Sequence, residues 1–214
     1  MFNSLIYQCW NSGFWYYQSV LNQNFVVIGT VISAIGSIVY LVDTVKGKIR
    51  PNRVSFLLWS IAPFIAFAAQ IKQGVGLESL MTFSTGFLPI MTFIASFVNK
   101  KAEWKLTGFD VFCGFLSVLG LILWLITKVG NVAIFFSIMA DGLAALPTIV
   151  KAYKYPETEL AWPWIATSFG VVLTLLTIQN LTFANSGFII YILIVNTVIF
   201  SFIQFRIGKR VQSN

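Results

Sequence analysis

The chain has 214 residues, 57% of them hydrophobic and 10% charged, with a mean hydropathy of +0.83 and a net charge of +7. A soluble domain of this size needs far more charge to cover its surface, so the composition excludes one and calls for an integral, multi-pass protein of a cell membrane. Histidine is absent and the only cysteines are Cys9 and Cys113, which removes the commonest general base and metal ligand. Neither a disulfide framework, a zinc site nor a cofactor is expected.

Residues 1–24 form an aromatic tail with Trp10, Phe14, Trp15, Tyr16 and Tyr17. It lacks the basic and long apolar regions of a cleavable signal, and reads as an external interfacial helix, lid or anchor. Seven apolar segments follow, at 25–44, 54–72, 78–98, 110–128, 131–151, 162–180 and 186–206. They are continuously apolar rather than alternating, which favours spanning helices over barrel strands.

The fourteen basic residues fall unevenly on the connections. Lys46, Lys48, Arg50 and Arg53 lie in the first loop, Lys100, Lys101 and Lys105 in the third, Lys151 and Lys154 in the fifth, and Arg206, Lys209 and Arg210 at the C-terminus. The intervening connections hold only Lys72 and Lys128. The positive-inside rule then puts the N-terminus outside and the C-terminus in the cytoplasm. On this reading the basic residues set topology and meet lipid headgroups, and nucleic acid is not a partner. Glu157 and Glu159 are expected to be solvated at the cytoplasmic edge, and Asp43 to pair with Lys46. Asn180-Leu181-Thr182 forms a glycosylation sequon on the outer side.

A shift of 105 residues lays Lys46 on Lys151, Pro51 on Pro156, Trp59 on Trp164, Thr92 on Thr197 and Phe97 on Phe202. It also superposes spans one to three on spans five to seven. The expected fold is therefore all-α: two parallel three-helix repeats, 25–99 and 130–207, joined by a loop and linker helix at 100–129 and followed by a cytoplasmic tail at 208–214. An odd linking span gives both repeats one orientation, and such pairs commonly enclose a site near the bilayer midplane.

The stretch Pro147 to Glu157, PTIVKAYKYPE, resembles the PQ-loop signature of the SWEET and PQ-loop superfamily. Pro147 matches the proline, Thr148 stands for the glutamine, Ile149 follows and Tyr153 takes the aromatic place. Pro156 and Glu157 replace the usual Lys-Ser/Thr, and Val42 and Asp43 stand at the equivalent positions of the first repeat. The resemblance implies a seven-helix carrier of a sugar, amino acid or vitamin, working by facilitated diffusion or proton coupling; some relatives are receptors. It also implies that Trp59 and Trp164 correspond to the tryptophan pair lining the cavity of SWEET-like proteins. Their position near the ends of spans equally suits interfacial anchoring.

Asp141 lies about ten residues into the fifth span, where a carboxylate costs about 2.5–3.5 kcal/mol on insertion scales. With no basic residue expected at that depth, it must be protonated, hydrated, bonded to a neighbouring helix or matched by a cationic ligand or ion. Its repeat mate is Gly36, so any site is asymmetric. Asn196 is the other deep polar group, suited to a solute or to a neighbouring helix. Pro147 should kink its span, and with Pro51 it is taken as a hinge.

These readings give a carrier of a small polar solute, with Asp141, Asn196, Trp59 and Trp164 in its site and proton coupling through Asp141 as one route. The alternative is a receptor or binding protein on the same scaffold. A retinal protein fails for want of a lysine deep in the last span. No enzyme is expected either, because there is no Ser-Lys pair, aspartate pair or metal cluster at depth. The bilayer and a small solute are the expected partners, with both monomer and homo-oligomer left open.

Overall fold

A computed structural model describes residues 20–102, 104–127 and 130–212, without the side chains of 119–121, 123–125, 127, 210 and 212. Cys9 and the aromatic residues of the tail, and Lys128, lie outside these. The described residues form α1 (Phe25–Val45), α2 (Arg53–Lys72), α3 (Ser79–Ala95), α4 (Gly108–Thr127), α5 (Gly130–Lys154), α6 (Trp162–Leu175), α7 (Phe183–Phe205) and α8 (Ile207–Gln212), with short 3₁₀ turns at Lys100–Ala102 and Pro156–Thr158. Among the described residues there is no strand. Helices α1, α2, α5 and α7 are long and apolar enough to cross a membrane; α3 and α6 are shorter apolar helices.

The faces of α1 show the environment. Its buried face is Val26, Gly29, Ser33, Gly36, Tyr40 and Thr44, small or polar at four of six positions and spaced three or four apart. Val27, Ile28, Val31, Ile35, Ile38 and Val42 point outward and are exposed. A helix in water puts its apolar stripe inward; polar-in and apolar-out is the arrangement expected against lipid.

Local chemistry sets the helix ends. Asn52, extended at ψ 110°, caps α2 by accepting from the amides of Val54 and Ser55. Thr107 and Asp110 form a reciprocal box at the start of α4: the Asp110 amide donates to Thr107 Oγ1, and Asp110 Oδ2 accepts from the Thr107 amide at 2.6 Å. Gly47 and Gly74, at φ 70° and 77°, follow α1 and α2 in the left-handed conformation that costs a side chain about 1–2 kcal/mol.

Packing is crosswise. α3 touches both α1 and α2, and α7 touches both α5 and α6, while α1 lies against α6 and α2 against α5. α4 packs chiefly on α5. Gly29 and Gly170 bring the backbones of α1 and α6 together so closely that a Cβ on Gly29 would lie 2.5 Å from the Gly170 carbonyl oxygen. At the α2–α5 contact, Ser55 Oγ donates to the Ala144 carbonyl at 2.6 Å and accepts from Thr148 Oγ1 at 3.1 Å.

Several expectations need correction. Glu159 is buried rather than solvated, and Lys151 is buried beside it rather than at the headgroups, because each neutralises the other. Asp43 pairs with Lys48 at 3.2 Å rather than Lys46, since Gly47 turns the chain back after α1. Arg53 opens α2 and donates to Ser96 Oγ and carbonyl at 3.1 and 2.8 Å, with its guanidinium 4.1 Å from the Phe97 ring centre. The sixth segment, expected to run to residue 180, stops at Leu175, where Thr177 Oγ1 donates to the Thr174 carbonyl and the polar run Gln179-Asn180 begins the loop. The third ends at Ala95, with Ser96 as its C-cap, rather than at 98. Past α7, residues 207–212 form the short helix α8, set off by a left-handed Arg206 and fitted against Tyr153 through Gly208.

Candidate functional site

A cavity of about 90 Å³ lies where α1, α2, α3, α5, α6 and α7 meet; among the described residues none of its wall comes from α4. That volume holds several ordered waters or one small solute. Asp141, Asn196, Trp59 and Trp164 all line it. Pro147 and Pro51 do not: Pro147 sits within an unbroken α5 and faces a second cavity, and Pro51 lies in the loop before α2.

Asp141 is 2% exposed. Tyr191 on α7 donates to its Oδ2 at 2.7 Å, while its Oδ1 is buried with no hydrogen-bond partner among the described residues. The indole of Trp59 donates to the Asp141 backbone carbonyl at 3.3 Å, tying α2 to α5 beside the carboxylate. Trp59 and Trp164 meet edge to face, with ring centres 5.8 Å apart. At 7% and 8% exposure both are buried in the cavity wall. The Trp164 indole N–H is buried without an acceptor among the described residues. Asn196 Nδ2 donates at 2.8 Å to the Ile192 carbonyl, one turn earlier in its own helix.

Tyr40 and Phe56 complete an aromatic group. Tyr40 stacks on Phe56 at 5.2 Å and stands edge-on to Trp164 at 6.0 Å, and Phe56 meets Trp59 at 5.2 Å. The remaining wall carries hydroxyls: Ser33, Ser37, Ser84, Thr85, Thr92 and Thr167. Ser33 donates to Thr167 across α1 and α6 at 3.1 Å.

Beyond Tyr40 a buried polar network closes this end. The Tyr40 hydroxyl donates to Glu159 Oε2 at 2.8 Å, and Lys151 Nζ reaches Glu159 Oε1 at 2.6 Å. Lys151 also donates to the Arg50 carbonyl and lies 4.7 Å from the Trp104 ring centre. The second cavity, about 370 Å³, lies behind it, bounded by Trp104, Asp110, Pro147, Lys151 and Tyr155.

The sequence did not single out Tyr40, Tyr191 or the hydroxyls, and it placed Glu159 in solvent rather than in this network. Tyr40 had a readable signal: Ser33, Ser37 and Tyr40 repeat at helical spacing on one face of α1. Tyr191 and Glu159 depend on contacts between helices. Compared with protein-family models, with curated proteins and with solved structures, the chain matches none.

Proposed function

We propose that the chain is a membrane carrier that moves a small polar solute by alternating access, on the pattern of the SWEET and PQ-loop carriers its fifth span resembles. In this reading seven helices, α1 to α7, cross a cell membrane as a three-one-three arrangement, with the N-terminus outside and the C-terminus cytoplasmic. α1–α3 and α5–α7 are the two parallel repeats and α4 is the linker.

The observation that carries the reading is the central cavity with its uncapped Asp141 oxygen. It lies between the two helix triplets, which is where rocking of one against the other would expose it to either side. The helix contacts support the repeat. Each triplet has its third helix between the first and second, and the two pack crosswise. The starts of α1 and α3, moved on by 105 residues, fall at 130 and 184, beside the starts of α5 and α7. Buried carboxylates within a span are commonly functional.

Uptake into proteoliposomes tests it. A panel of radiolabelled amines, amino acids and sugars is expected to yield one that accumulates or exchanges, with Asp141→Asn cutting the rate at least tenfold while its helical circular dichroism and melting match the parent. Uptake unchanged in that variant removes Asp141 from the mechanism. Saturable binding without any flux points to a receptor on this scaffold.

A further inference from the structure

Resting on the carrier reading, the geometry points to a small organic cation, an ammonium or quaternary ammonium compound of about choline's size, as the occupant of the central cavity. Three features of the wall converge on that chemistry. Asp141 is the one carboxyl group among the described lining side chains, and its Oδ1 has no hydrogen-bond partner among the described residues. Lys151, on the same helix, is already held by Glu159 and the Arg50 carbonyl, so it leaves the carboxylate uncompensated. A cation in the cavity supplies the missing counter-charge.

The aromatic group selects which cation. Tyr40 and Trp164 meet at 80°, and Trp59 and Trp164 at 69°, so their rings form walls at steep angles rather than one flat stack. Electron-rich ring faces around a desolvated site attract alkylammonium groups, which shed their weak hydration readily. A hard metal ion instead requires six or more oxygen ligands for calcium, or a tight octahedron for magnesium, and aromatic faces supply none. Among the described residues no group of three metal-ligating acids or cysteines exists. A neutral polyol would find hydroxyl partners but leave Asp141 unmatched.

The third feature sets the other end of the solute. The buried Trp164 indole N–H lacks an acceptor among the described residues. A hydroxyl, ether or carbonyl oxygen a few bonds from the cationic nitrogen would satisfy it.

The test uses the purified full chain in lipid nanodiscs, with thermal shift and intrinsic tryptophan fluorescence read against choline, its neutral isostere 3,3-dimethylbutan-1-ol, and sodium chloride. Choline is expected to bind saturably, at least ten times more tightly than the neutral isostere and without competition from equimolar sodium. Asp141→Asn should weaken it at least tenfold, and Trp164→Leu, which keeps the charge, at least threefold with an unaltered fold. Equal binding of the isostere, or choline affinity unchanged in both variants, overturns the inference. The two readings fail separately. Choline binding without flux of any solute overturns the carrier proposal alone, whereas uptake of a neutral solute with no choline binding overturns this one alone.

Discussion

Lys151 and Glu159 have side chains 1% and 0% exposed and meet at 2.6 Å. At an effective dielectric of about 20, unit charges at that separation attract by roughly 6 kcal/mol, most of which offsets the cost of taking both out of water. Lys151→Met removes the attraction and leaves a buried carboxylate held, among the described residues, by Tyr40 alone, so a loss of about 3–5 kcal/mol is expected. Glu159→Gln should cost less, because the Arg50 carbonyl and the Trp104 ring still hold the ammonium. The double variant removes both charges and keeps an acceptor for Tyr40, so it should be more stable than Lys151→Met alone. Reversible unfolding in mixed detergent micelles, read by circular dichroism, gives all four corners of the cycle. Additive losses, with the double variant the least stable of the set, would refute the view that this pair is a mutually dependent buried unit.

Gly170→Ala forces a methyl onto the Gly29 carbonyl at the closest point of α1 and α6, and overpacking of this kind costs about 1–3 kcal/mol; a melting temperature equal to the parent's contradicts that contact. Glu157 and Lys209, half-exposed at 2.8 Å, form a surface pair worth less than about 1 kcal/mol. The Lys209 hydrogen bond holds the Glu157 carboxyl below its ordinary value of 4.5. Its contribution is therefore present above that pH and lost as pH falls through the lowered folded value. Stability of the parent and Lys209→Met should differ slightly at pH 7 and converge on acidification; a gap that widens in acid reverses the sign.

Hydropathy alone located every long helix because lipid-facing Val, Ile and Phe make each segment continuously apolar, and a period is not needed. Ends were less legible where polar and apolar signals compete, as at Leu175, where an apolar run continues in sequence but Thr177 turns the backbone. Depth in a span made Asp141 and Asn196 conspicuous. The Asp141 bond to Tyr191 was invisible because it joins helices 50 residues apart. Glu159 and Lys151 misled for a related reason. Charge near a helix end ordinarily means water, and only their mutual neutralisation, with Tyr40 arriving from 119 residues away, lets them enter the interior.

The central claim is that this cavity opens alternately to the two sides of a membrane. Ser37 lines it on α1, and Ser37→Cys in a chain with Cys9→Ser and Cys113→Ala gives one reporter there. A membrane-impermeant thiol reagent applied separately to each side of oriented vesicles reads its exposure. The carrier account predicts labelling from both sides, with solute slowing both. Labelling confined to one side under every condition, with or without solute, would contradict it.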